Sequence, residues 1–82
     1  MDKIVAVIYI HKSGKKFDVE IPLDITAKDL VVALNQAFNL GIDVSSITEC
    51  YLKTENPIAL LKGNTKLKDY KLRTGTVINI TG

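Results

Sequence analysis

Seven apolar residues in succession, Ile4-Val5-Ala6-Val7-Ile8-Tyr9-Ile10, open the chain after a short polar start. A run this rich in β-branched and aromatic side chains predicts a first strand. The polar stretch His11-Lys12-Ser13-Gly14-Lys15-Lys16 supplies a hairpin turn with its glycine. Apolar and polar residues then alternate: Phe17, Val19 and Ile21 against Asp18 and Glu20. Period two predicts a second strand over residues 17–23 with one wet face, and Pro22, lacking an amide donor, predicts the end of regular pairing.

The pattern then changes to a helical one. Thr26 suits an N-cap, and Asp29 three residues later approximates a capping box at the positive end of the helix. Leu30, Leu34, Ala37 and Phe38 recur at helical spacing, Val31 widens the stripe, and Lys28, Asn35, Gln36 and Asn39 fall off it. Gly41 is placed to stop the helix in a left-handed conformation, so the spacing predicts a helix from 27 to 39 or 40. Further along, 43–46 reads as a turn, 48–53 as a third strand, and 58–61 as a short fourth strand after the breaker Glu55-Asn56-Pro57. Leu67, Tyr70 and Leu72 are spaced to anchor an irregular segment. Gly75 permits a tight turn before a fifth strand at 77–80. The expected core joins Leu30, Leu34 and Phe38 to Ile4, Ile8, Val19, Ile21, Leu67 and Ile80.

This element order gives one α+β domain over residues 1–82: a mixed sheet of about five strands with one main helix packed across it, the β-grasp (ubiquitin-like) arrangement. No repeat, linker or low-complexity tract interrupts it. Composition agrees, since 46% hydrophobic and 24% charged residues suit a folded globular chain with room for a single core. The apolar run at 4–10 is too short to span a bilayer and no small-residue cleavage motif follows it. No membrane insertion and a cytoplasmic location are therefore expected. A net charge of +2 conceals a division. Residues 1–16 and 57–82 are basic and 17–56 acidic, a split that can give a small domain two electrostatic poles.

Candidate chemistry is sparse. His11 is the one histidine and Cys50 the one cysteine, so no disulfide, metal spacing or nucleophile–base pair can be assembled from them. His11 reads as a surface turn residue and Cys50 as a strand residue. The carboxylates between Asp18 and Glu55 mark no acid–base pair, and no phosphate loop or dinucleotide fingerprint occurs. The chain is not expected to be an enzyme or to take a cofactor or metal. Lys12, Lys15 and Lys16 form a basic cluster at the first turn. Nucleic acid is nonetheless a poor partner, because Phe17, Phe38 and Tyr70 are needed in the core and few aromatics remain for stacking. The first strand is anomalous. If its even positions face the helix, Val5, Val7 and Tyr9, joined by Val77, make an apolar strip on the outer sheet face. Isolated exposed apolar residues are ordinary, but a strip marks an interface. Val5, Val7, Tyr9 and Val77 are the candidate interaction face, with Lys12, Lys15 and Lys16 as its basic rim.

The segment Leu67-Lys68-Asp69-Tyr70-Lys71-Leu72 before the last strand resembles the end of ubiquitin and its relatives. Nearly the whole chain resembles the YukD/EsaB family of type VII secretion systems. Phe17-Asp18-Val19-Glu20-Ile21-Pro22 is similar to that family's aromatic-Asp-apolar-x-apolar-Pro stretch, and Lys28-Asp29-Leu30-Val31 to its helix opening. The resemblance implies a small bacterial accessory or regulatory protein, partnered by protein components of the secretion machine, with room for self-association. In some relatives the domain is fused to a membrane-embedded channel subunit. The competing readings are a ubiquitin-like binding module of another context and a carrier activated at its C-terminus. Carriers end in a flexible Gly-Gly tail that threads into an activating enzyme. Here Ile80 is followed by Thr81 and Gly82, and the β-branched penultimate residue argues against that role.

Overall fold

A computed structural model describes residues 2–41 and 51–80. Five strands and one helix follow in the order β1 (Lys3–Ile10), β2 (Lys15–Pro22), α1 (Ala27–Phe38), β3 (Tyr51–Glu55), β4 (Ala59–Lys62) and β5 (Val77–Ile80), with a 3₁₀ turn (Leu67–Tyr70) before the last strand. They form one mixed sheet in the order β2-β1-β5-β3-β4, crossed on one face by α1. β1 and β5 run parallel at its centre, and the other neighbours are antiparallel. The expected turn at 43–46, the start of the third strand at 48–50 and Cys50 lie outside the described residues. Among those described, no helix is long and apolar enough to cross a membrane.

The β1–β2 hairpin follows from its sequence with one correction. Pro22 does not end the pairing: the Leu23 amide donates to the Asp2 carbonyl at 2.9 Å, one step beyond it. Pro22 sits opposite Lys3 on an edge strand, where amides alternate inward and outward, so its missing donor falls on the open side. Lys15 and Lys16 belong to β2 rather than to the turn.

The N-terminus of α1 is a complete capping box. Thr26 Oγ1 accepts from the Asp29 amide at 3.1 Å, and Asp29 Oδ2 accepts from the Thr26 amide at 3.3 Å. Thr26→Ala removes one acceptor for an otherwise unpaired helix amide and is expected to cost about 1 kcal/mol, read as a lower urea midpoint at unchanged slope. The helix stops earlier than Gly41 suggests. Asn39 takes the left-handed cap at φ 52° and returns its amide to the Asn35 carbonyl, because asparagine tolerates that conformation. Ala27, Leu30, Val31 and Leu34 are the buried stripe; Ala37 is exposed, at its margin, beside the groove between α1 and β2.

The core lies between α1 and the inner sheet face, where Ile4, Ala6 and Ile8 of β1 alternate inward and meet Ile21, Ile78 and Ile80. Val19 and Phe38 are half-buried at its margin. Phe17, expected inside, stays exposed at the sheet corner and lies against Phe38 with ring centroids 5.0 Å apart. Leu67 and Leu72 are buried and anchor the 3₁₀ turn. Tyr70 is half-buried and reaches the Lys62 backbone with its hydroxyl. Gly75 has φ 98°, a conformation that disfavours any side chain, and its amide donates to the Val5 carbonyl. The fourth strand begins at Ala59, leaving Ile58 in the preceding turn and 90% exposed.

Candidate interaction face

Strand register decides what stands on the face away from the helix. Val7 of β1 lies beside Val77 of β5, and Tyr9 beside Asn79. β2 adds Lys16 next to Tyr9, Asp18 next to Val7 and Glu20 next to Val5. β3 adds Lys53 next to Asn79 and Glu55 next to Val77, and β4 sets Leu60 against Lys53. The result is two parallel rows across the strands. One reads Lys16, Tyr9, Asn79, Lys53, Leu60; the other reads Asp18, Val7, Val77, Glu55.

The four residues of the expected apolar strip are thus brought together. Val5 is 41% exposed, while Val7, Tyr9 and Val77 are half-buried by their neighbours. Sequence reasoning missed Leu60, 43% exposed, and Ile58, which extend apolar surface to the far edge. An apolar alternation in β1 pointed to the strip. No comparable signal marked Ile58, since its position depends on where β4 begins. Ile58 and Leu60, with His11, Lys53, Glu55 and Asn79, border an open hollow of about 550 Å³.

The polar groups of the face are tied to one another. The His11 ring stacks on Tyr9 with centroids 4.0 Å apart, and Lys16 Nζ lies 4.9 Å from the Tyr9 ring centre. Asn79 Nδ2 donates to the Lys53 carbonyl at 3.3 Å, which leaves Asn79 Oδ1 as acceptor for His11 Nε2 at 2.8 Å. His11 therefore carries its hydrogen on Nε2 and braces the strand end instead of facing a reactive group. Lys3 and Glu20 pair at 3.2 Å on exposed surface, a contact of small energetic weight.

The basic rim does not hold together as one patch. Lys16 lies on the sheet face over Tyr9, whereas Lys12 and Lys15 border a separate hollow with Phe17 and Phe38, at the end of the helix. Strand alternation separates them, because adjacent residues of β2 point to opposite faces. Two buried threonines escaped the sequence reading altogether. Thr76 Oγ1 accepts from the Arg73 amide at 3.0 Å and donates to the Asn56 carbonyl at 2.8 Å, and Thr54 Oγ1 donates to the Pro57 carbonyl at 2.7 Å. Both fasten the 56–58 turn that presents Ile58. Among the described residues, no three His, Cys, Asp or Glu side chains converge as a metal site. What this face offers is contact: a braced, half-apolar sheet surface with ordered charges.

Over residues 5–80 the chain matches the family described as "WXG100 protein secretion system (Wss), protein YukD". No curated protein matches it. Solved structures that superpose on it are ubiquitin-like. The C-terminal ubiquitin-like domain of mouse tubulin-specific chaperone e has 14% identity and a TM-score of 0.69, covering 94% of this chain and 82% of that one. A ubiquitin-like domain from tubulin-binding cofactor B has 19% identity and a TM-score of 0.73, with 95% and 87% covered. The UBL domain of Plasmodium falciparum Dsk2 has 24% identity and a TM-score of 0.62, with 95% and 97% covered. At such identities the likeness is one of fold, and the fold is the ubiquitin-like β-grasp.

Proposed function

The chain belongs to the YukD family of the WXG100 protein secretion system, and from that premise we propose that it is a non-catalytic accessory protein acting through protein contact. In this reading it works in the bacterial cytoplasm, without cofactor or metal, against protein components of the type VII secretion machine. The observation that carries the reading is the outer sheet face. Val5, Val7, Tyr9 and Val77 stand together where an exposed sheet ordinarily alternates with polar residues, and Ile58 and Leu60 extend the apolar surface. Partner binding through a braced sheet needs no reactive group, and His11, the one imidazole, is engaged by Asn79.

The test is complementation of a strain lacking the gene, read as export of the system's WXG100 proteins. Wild type is expected to restore export. A form lacking Thr81 and Gly82 is expected to restore it as well, because the sheet face is untouched. No acyl-adenylate, thioester or thiocarboxylate at Gly82 is expected by intact-mass measurement. Loss of rescue with a folded truncated protein would favour a carrier activated at its terminus instead.

A further inference from the structure

We propose that the outer sheet face packs against the same face of a second copy of this chain. The proposal rests on the reading of that face as the working surface and names what it binds. It comes from the order of charges. Lys16 and Asp18 stand two residues apart on β2, and Lys53 and Glu55 two residues apart on β3, so the basic row and the acidic row lie side by side. Between β2 and β3, both rows are uncharged: Tyr9 and Asn79 in one, Val7 and Val77 in the other.

Consider a two-fold axis lying in the interface, across the strands and midway between the rows. It keeps each strand over its own copy and exchanges the rows. Lys16 then meets the second copy's Asp18, Lys53 meets its Glu55, and each contact occurs twice, as an isologous interface requires. Tyr9 covers Val7. A two-fold along the strands would instead set Lys16 over Lys53 and Asp18 over Glu55, like against like. The charge pattern thus selects one orientation and rejects the other.

The apolar groups obey the same operation. Ile58 and Leu60 border one hollow at the β4 side of the face, and because the operation keeps each strand over its own copy it brings this apolar pair against that of the second copy. Apart from Phe17 at the corner, the large exposed hydrophobics among the described residues, Val5, Ile58 and Leu60, all lie on this face. Outside the two rows the described part of this face also carries Lys3 and Glu20, which pair with each other, and Lys62 at the far end of β4. The charged residues that would pair are all exposed, so the dimer is weak and concentration-dependent.

Sedimentation equilibrium, from micromolar to roughly millimolar protein, tests this range of weak contacts. Wild type is expected to pass from monomer to dimer. Two charge variants separate the rows: Lys16→Glu with Lys53→Glu makes both rows acidic, and Asp18→Lys with Glu55→Lys makes both basic. All four positions are exposed, and circular dichroism confirms folding. Each variant alone is expected to lose association by about tenfold or more, since several pairs turn repulsive at once. Mixed one to one, the two variants are expected to form a heterodimer at least as readily as wild type dimerises. A wild type that stays monomeric to the top of the range, or a mixture that does not associate, overturns the proposal. So does a dimer indifferent to both variants.

The secretion assay keeps the two readings apart. Monomeric wild type together with failed rescue by Val7→Glu preserves the working face but gives it another protein, which overturns the second copy. A charge-matched dimer with full rescue by Val7→Glu supports the second copy and removes the functional reading.

Discussion

Leu34→Ala is expected to lower the unfolding free energy by about 2–5 kcal/mol, the range for truncating a leucine in a packed interior. Leu34 lies on the inner stripe of α1, is 3% exposed, and belongs to the same core as Ile8, Leu61, Leu67 and Ile78. Removing three carbons there leaves a hole that the sheet cannot easily close, because Ile8 and Ile78 are held in central strands paired on both sides. A small domain has about 5–15 kcal/mol in total, so the loss is a large share of it. Urea unfolding followed by circular dichroism should show a strongly lowered midpoint, while Ala37→Ser, at the exposed margin of the same helix, should leave it nearly unchanged. An unaltered midpoint for Leu34→Ala would mean that α1 presents another face to the sheet.

Val7→Glu is expected to abolish partner binding while the fold survives. The substitution sets a carboxylate between Asp18 and Val77, in the row that already holds Glu55. A partner covering the face would have to desolvate that charge and lose the valine contact, which together cost several kcal/mol, enough to eliminate a complex of modest affinity. Within the monomer the side chain is only half-buried and can reach water, so the cost to stability is about 1 kcal/mol or less. Lys12→Ala with Lys15→Ala is the contrast, since those lysines face the helix end and should change binding little. A pull-down from host lysate with purified wild type and both variants checks this. Loss of the partner in the lysine variant, with binding kept in Val7→Glu, would move the working surface from the sheet to the helix end.

The elements that could be read from the sequence were those whose periodicity is set locally. The capping box at Thr26 and Asp29, the alternation of β2 and the β-branched run at 77–80 each depend on neighbours within a few residues. The apolar strip was legible for a related reason: β1 carries apolar residues at every position, and one face of a strand must lie away from the helix. What escaped depends on long-range pairing. Whether Pro22 stops a strand depends on whether that strand is an edge, which is decided by where β5 inserts. That Lys16 joins the sheet face while Lys12 and Lys15 leave it follows from the phase of β2 against β1. The charge rows exist only once residues 16–18, 53–55 and 77–79 are brought into register. Thr76 was invisible because its acceptor, the Asn56 carbonyl, is twenty residues away and belongs to a turn. Asn39 in place of Gly41 at the helix end is a smaller matter, a choice between two residues that both accept left-handed geometry.

The parallel pairing of β1 with β5 also governs how the protein can be made. Ile8 and Ile10 find their partners in Ile78 and Ile80, far downstream in the chain. Until residues 77–80 are synthesised, β1 has β2 on one side and an open row of amides and carbonyls on the other, with β3 and β4 unattached to either. A nascent chain can form the first hairpin and the helix locally, but it cannot close its interior. Folding of this domain is therefore expected to be a single event that waits for residues 77–80, with a large loop closed in one step. Until then the most apolar strand of the chain is the one most exposed to other nascent chains.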